Sequence, residues 1–136
     1  MTSIRHPILI DANNREVWQA LTTAEGLKGW WPEVQRADAR AGGKIVIAWD
    51  AEDPASEDRG TFHAVQPTRN LEILWDARGG GTMRGSRLQF QIGRGDGETK
   101  VLAIETLRSD ATEEDREARE AWWKDALARL RGVFEG

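Results

Sequence analysis

Residues 112–134 constrain the fold of this chain more than any other stretch. Trp123, Leu127, Leu130 and Phe134 fall at i, i+4, i+7 and i+11, which is one stripe of a long helix. Arg119, Lys124 and Arg131 read as its opposite face. Thr112 reads as the N-cap, and Glu113, Glu114 and Asp115 put three acids in the positive first turn. Between residues 34 and 107 the period is two instead. Ile45, Ile47 and Trp49 alternate with their neighbours, as do Leu71, Ile73 and Trp75, and Leu88, Phe90 and Ile92. Alternation of this kind marks half-buried strands. Such strands make a sheet with one apolar face, and residues 112–134 are the one stretch long enough to cover it.

The remaining segments fill in the order. Strands are also expected at 4–10, 60–65 and 99–107, with turns at Gly42-Gly43, 67–70 and 93–97. The last of these, Gly93-Arg94-Gly95-Asp96-Gly97, reads as a hairpin turn rather than a recognition string. Residues 53–59 read as a polar loop containing Pro54, and Gly79-Gly80-Gly81 as a flexible loop without the Lys-Ser/Thr ending of a phosphate loop. Asn13-x-x-Glu16 is a capping pattern that opens a helix with Val17, Ala20 and Leu21 as its buried stripe. Thr22-x-x-Glu25 repeats the pattern and opens a second short helix toward Trp30, stopped by Pro32. The expected class is α+β: an antiparallel sheet of about six to seven strands wrapped around a long C-terminal helix, with two short helices after strand 1. Residues 1–136 read as a single domain.

Composition removes several functions. There is no cysteine, so disulfides, thiol chemistry and thiolate metal sites are excluded. A net charge of -4 with both signs interspersed does not collect polyphosphate, so nucleic acid is not an expected partner. Ile8-Leu9-Ile10 is too short for a signal-peptide core, and no run approaches the roughly 20 apolar residues of a membrane span. The cytoplasm is therefore the expected location, and membrane insertion is not expected. The unusual number is seven Trp beside three Phe and no Tyr. Trp brings a large apolar area and one N–H donor.

An ordered set of residues carries a resemblance over nearly the whole chain: Val17-Trp18-Gln19-Ala20-Leu21-Thr22, Gly29-Trp30-Trp31, Gly42-Gly43, Gly60, Pro67 with residues 71–75, then Trp123, Leu127 and Leu130. The chain resembles the START/Bet v 1-like (SRPBCC) superfamily, and within it the group named after the activator of Hsp90 ATPase homologue. The resemblance implies a helix-grip fold with a deep, mostly apolar cavity between sheet and C-terminal helix. Superfamily members bind lipids, sterols, polyketides and other hydrophobic molecules, and some are cyclases or hydrolases. The co-chaperone role in the group's name does not transfer by resemblance alone.

Three functions stay open on this reading. The first is binding of a small hydrophobic ligand, lined by Trp31, Trp49, Phe62, Trp75, Phe90 and Trp123 around an enclosed pocket of at least about 300 Å³. Trp31 is expected at its mouth, with Trp30 in the core or on the surface. The second is acid–base catalysis in the same cavity. The third is a chaperone-associated interaction domain, and pairing of two copies is also open. Glu105 is the charge of interest: both parities of 99–107 carry apolar residues, and it enters the cavity if Val101, Ala103 and Leu107 face inward. A salt bridge with Arg87 or Arg69 is its structural alternative. His63 is a second polar candidate. With two histidines far apart, His6 and His63, no triad, dyad, metal site or cofactor is called for.

Overall fold

A computed structural model describes residues 2–78, 80–94 and 97–135. In chain order the elements are β1 (Ser3–Ile10), α1 (Asn14–Thr22), α2 (Ala24–Lys28), β2 (Val34–Ala37), β3 (Lys44–Ala48), β4 (Glu57–Gln66), β5 (Asn70–Trp75), β6 (Arg87–Arg94), β7 (Thr99–Thr106) and α3 (Glu113–Val133). The seven strands form one sheet in the order β1-β7-β6-β5-β4-β3-β2, and every pairing is antiparallel. From β2 to β7 each strand pairs with the next, as strands joined by short turns do. β1 sits at the far edge beside β7, and α1 and α2 carry the chain from that edge to the other. No described helix is long and apolar enough to cross a membrane.

Local signals account for the helix starts. The Asn13 side chain accepts the Glu16 N–H at 2.9 Å. The second helix begins one residue later than its capping pattern suggests. Thr23 Oγ1 accepts the Gly26 N–H at 2.9 Å, whereas the Thr22 hydroxyl donates to the Trp18 carbonyl at 2.7 Å. Thr22 still belongs to α1, where a hydroxyl bonds back one turn. At α3, Thr112 Oγ1 accepts the Asp115 N–H at 3.1 Å and Asp115 Oδ2 accepts the Thr112 N–H at 3.0 Å, a reciprocal capping box. The Thr112 backbone N–H is the main reason the Asp115 carboxyl lies below the usual carboxylate range, with the Thr112 hydroxyl and Arg108 adding to it. A depressed folded-state value contributes stability above the unfolded pKa and loses it as pH falls through the folded one. Thr112→Ala removes one half of the box and is expected to cost about 1 kcal/mol, read as a lower urea midpoint at unchanged slope.

The sheet's inner face can be followed across five strands. Ile4 lies opposite Glu105, Glu105 opposite Leu88, Leu88 opposite Ile73, and Ile73 opposite Phe62, and all five are buried. In β7 Val101, Ala103 and Glu105 are buried while Leu102 and Ile104 are half-buried on the other side. That settles the parity in favour of Glu105 inside. The stretch 53–59 is a loop only in its first half. Pro54–Ser56 make a 3-10 turn, and β4 begins at Glu57, which puts Asp58 on the inner face, fully buried. Gly60 is needed there: a Cβ would approach the Trp75 ring and Ile73 at 2.9 Å, so its absence lets both side chains pack closely on β4. Gly79 of the glycine loop, and Gly95 and Asp96 of the last hairpin turn, lie outside the described residues.

Candidate functional site

Aromatic rings fill the space between the sheet and α3, with Trp31 at their centre. Its ring lies 5.7 Å from Trp30, 6.2 Å from Trp49, 6.1 Å from Trp75, 5.1 Å from Trp122 and 6.1 Å from Trp123, centroid to centroid. Phe90 adds contacts to Trp30 at 6.2 Å and Trp123 at 5.8 Å. Trp49 and Trp122 meet at 5.7 Å. These are the spacings of rings in direct contact. The expected pocket of about 300 Å³ or more is therefore not open between them. Clefts of that size lie on the surface instead, beside Pro54 and Arg59, beside Pro7 and Arg131, beside Gln19 and Phe134, and beside Asn13 and Arg94, and none includes a ring of the cluster. The physical reason is size: an indole reaches far enough to touch the indole facing it, so rings expected to line a space occupy it.

Of the residues expected to line the site, Trp31, Phe62, Trp75, Phe90, Glu105 and Trp123 are buried, and Trp49 is half-buried. Trp31 does not sit at a mouth. It and Trp30 are both 0 % exposed. Their expected divergence assumed a helix end, but α2 stops at Lys28 with Gly29 as its C-cap. The chain then turns so that Trp30 goes beneath α1, donating from Nε1 to the Ala20 carbonyl at 2.9 Å, and Trp31 goes toward α3. His63 is exposed, because it neighbours the inward Phe62 on a strand and must point the other way. It is not a pocket base.

The polar centre of the interior is Glu105. Trp123 Nε1 donates to its Oε1 at 2.6 Å. Arg119 Nε donates to Oε1 and Oε2 at 3.1 and 3.3 Å, and Arg119 Nη2 lies 3.0 Å from Oε1. Arg119 also donates from Nη1 to Thr82 Oγ1 at 3.1 Å and from Nη2 to the Met83 sulfur at 2.8 Å. Its guanidinium carbon stands 4.5 Å from the centre of the Trp122 ring and 5.9 Å from that of Trp49, within cation–π range. Arg119 is only 5 % exposed, so it does not belong to the outer face of α3. Position 119 precedes Trp123 by four residues, about 40° around the helix, and so shares its stripe. Its charge tolerates burial because Glu105 pairs with it. Arg87, one of the partners expected for Glu105, bonds Glu72 instead at 2.8 Å. A cleft of about 80 Å³ lined by Thr82, Arg84, Arg108, Asp115 and Ala118 reaches Arg119 from the surface.

Asp58 is the site residue that the sequence did not single out. Its Oδ2 accepts the Trp49 Nε1–H and the Met83 N–H, each at 2.8 Å. Asp58 and Arg119 thus hold the β5–β6 loop at Thr82 and Met83 from two sides. A side chain at Gly81 would collide with the Trp49 ring and with Asp58, so the loop can pack this closely only with glycine there. Three buried polar atoms in this region, Asp58 Oδ1, Trp31 Nε1 and Trp75 Nε1, have no hydrogen-bond partner among the described residues. A buried donor or acceptor left unpaired costs about 1–3 kcal/mol. Alternation with Gly60 and Phe62 was the signal that could have placed Asp58 inside.

Comparison with known proteins agrees with this architecture. The model of the family described as "Activator of Hsp90 ATPase homolog 1-like protein" matches residues 11–135. The Aha1 dimer from Colwellia psychrerythraea superposes with a TM-score of 0.83 at 22% identity, covering 99% of this chain and 97% of that one. Protein MLL2253 from Mesorhizobium loti gives 0.84 at 14% identity, with 98% and 97% covered. CalU16 from Micromonospora echinospora gives 0.76 at 23%, with 97% and 74% covered. At these identities the likeness is one of fold: a seven-stranded antiparallel sheet, two short helices after β1 and a long C-terminal helix, the helix-grip arrangement. A comparison with curated proteins returns no match.

Proposed function

The chain belongs to the family of activator of Hsp90 ATPase homolog 1-like proteins, and from that membership and the geometry of its interior we propose that it binds one small hydrophobic molecule between the sheet and α3. The observation that carries this reading is the contact network of rings around Trp31, whose outer members, Trp49 and Trp122, are only half-buried. On this reading those two rings turn outward to uncover Trp31, at the cost of the Trp49–Asp58 hydrogen bond and of the two ring contacts with Arg119. The uncovered surface is largely aromatic, with Trp75 and Phe90 from the sheet, Trp123 from α3 and Phe62 deeper on the same face, and it is edged by Arg119 and Asp58, which those two rings had covered. Apolar burial is non-directional, so this lining suits a range of hydrophobic guests.

Binding is favoured over acid–base catalysis by the state of Glu105. Both of its oxygens already accept hydrogen bonds from Arg119, and Oε1 also accepts from Trp123. Its role is to hold α3 against the sheet rather than to exchange a proton with a guest. N-phenyl-1-naphthylamine, which fluoresces in apolar surroundings, tests the reading. Its emission is expected to rise and saturate at one molecule per chain, with quenching of tryptophan emission along the same curve. A rise that never saturates would remove the proposal. Light scattering on the same sample reads whether the chain works alone or as a homodimer, the state in which Aha1 from Colwellia psychrerythraea was solved.

A further inference from the structure

We propose that the cleft between the β5–β6 loop and the start of α3 is a binding site for a small carboxylate anion. The cleft measures about 80 Å³ and is lined by Thr82, Arg84, Arg108, Asp115, Ala118 and Arg119. It is reached from the surface and needs no ring of the interior to move. Three guanidiniums meet there, and like charges are costly to gather unless anions answer them. Arg119 is answered by Glu105, with Nη2 3.0 Å from Oε1, and both are buried. Arg108 is answered by Asp115, with Nη2 2.8 Å from Oδ2. Asp110 Oδ1 also stands 3.0 Å from Arg108 Nε, but its side chain is 81% exposed, and a pair with so exposed a member holds weakly. Arg84 is in no ion pair among the described residues. A guanidinium carries five N–H donors, and the one bond that Arg84 makes among the described residues runs from Nη1 to the Gly81 carbonyl at 2.9 Å.

That set has a definite complement. Arg119 is held by Glu105 and by Thr82, whose Oγ1 accepts from its Nη1 at 3.1 Å, and Arg108 is held by Asp115, so two of the three cations are placed before any anion arrives. A carboxylate matches the fork of a guanidinium with both oxygens, which chloride cannot do. Its single charge is the one that Arg84 leaves unanswered. A dianion such as sulfate brings a second charge against Asp115, which lines the same cleft and whose carboxyl the Thr112 backbone N–H holds below the usual range. Cations meet three guanidiniums, and an apolar molecule would cover donors without pairing them.

Sodium acetate, sodium sulfate and sodium chloride, added to the intact protein at equal ionic strength, test the site. The arginine Nε–Hε signals of a 1H–15N spectrum report on it directly. Acetate is expected to move the Arg84 and Arg108 signals along a saturating curve and to bind several-fold more tightly than sulfate, while chloride gives no saturation. Arg84→Gln should weaken acetate binding about tenfold, the loss of one charge-assisted bond. Ala118→Glu, at an exposed position of α3 on the wall of the cleft, keeps every arginine and sets an acid against the anion, so it should weaken acetate at least as much. Should Arg84→Gln fail to fold, the second variant still decides. An acetate curve that never saturates or that matches chloride, or equal uptake by the folded variants, would overturn the site. Tighter binding of sulfate would overturn the assignment to a carboxylate. N-phenyl-1-naphthylamine uptake reads the interior separately, so neither result stands or falls with the other.

Discussion

Replacing Arg119 by Met lowers the free energy of unfolding by about 3–5 kcal/mol, the loss expected when one partner of a buried ion pair is removed. The size follows from what is left behind. Glu105 is 1 % exposed and lies in an inner row whose other members are Ile4, Leu88, Ile73 and Phe62. Without Arg119 it keeps one donor, Trp123 Nε1, and has no cation. Met fills much of the arginine's volume, so the loss is chiefly electrostatic rather than a cavity. Glu105→Gln leaves the converse, an arginine buried beside a neutral amide, and should also cost several kcal/mol. The double variant Arg119→Met with Glu105→Leu removes both charges and should recover most of the loss, since a well-packed apolar pair often equals a buried ion pair. Urea denaturation of the four proteins makes a double-mutant cycle. Additive losses, with the double variant the least stable, would show that the two side chains stabilise the fold independently.

The same pair marks how far the sequence could be read. Caps at Asn13 and Thr112 were legible because a cap is a local event, completed within a turn of helix. Alternation gave the strands for the same reason. Arg119 and Asp58 were misplaced because their charge argued for solvent, and the groups that justify burying them are distant in the chain. Glu105 lies 14 residues from Arg119, and Met83 lies 25 from Asp58. In both cases the periodicity was right and the charge misled: position 119 lies on the Trp123 stripe, and position 58 shares parity with Gly60 and Phe62. The parity of β7 was open because Leu102 and Ile104 are as apolar as Val101 and Ala103. It is fixed only by the pairing of β7 between β1 and β6, which hands Glu105 to the inner face.

The ring cluster had a different obstacle. Composition announced that seven tryptophans needed a place, and the seven residues expected to line the site do face the interior. Whether such rings enclose a space or fill it depends on side-chain rotation, which no periodicity encodes. Trp30 and Trp31 show how fine the dependence is. One residue apart, they are both buried because the chain turns after Gly29, sending one ring under α1 and the other to the centre of the cluster. On the binding reading proposed above, a guest enters by displacing rings, and the closed interior then has the packing of an ordinary core.

Trp123→Ala is expected to cost about 3–5 kcal/mol, and Trp122→Ala about 1–2 kcal/mol, though the two residues adjoin and their rings meet at 4.8 Å. One step along a helix turns the side chain by about 100°. Trp123 thereby points at the sheet, 1 % exposed, with Phe90 and Trp31 against its ring and Glu105 on its Nε1. Removing it deletes a full indole from the core and takes from Glu105 the donor nearest its Oε1. Trp122 is half-buried and covers Arg119 at 4.5 Å from the ring centre. Its loss forfeits a cation–π contact and edge contacts, while solvent can enter the space it vacates. Trp123→Phe separates the two contributions at that position, since it keeps an aromatic ring and removes the N–H. It should fall between the unaltered protein and Trp123→Ala, by about 1–3 kcal/mol. The guest-binding reading adds an opposite sign for the two sites. Trp122→Ala removes part of the cover and should leave N-phenyl-1-naphthylamine uptake intact or faster, whereas Trp123→Ala removes a wall and should weaken it. Equal shifts in the denaturation midpoint and equal changes in uptake would mean that the face of α3 assigned to the interior is wrong.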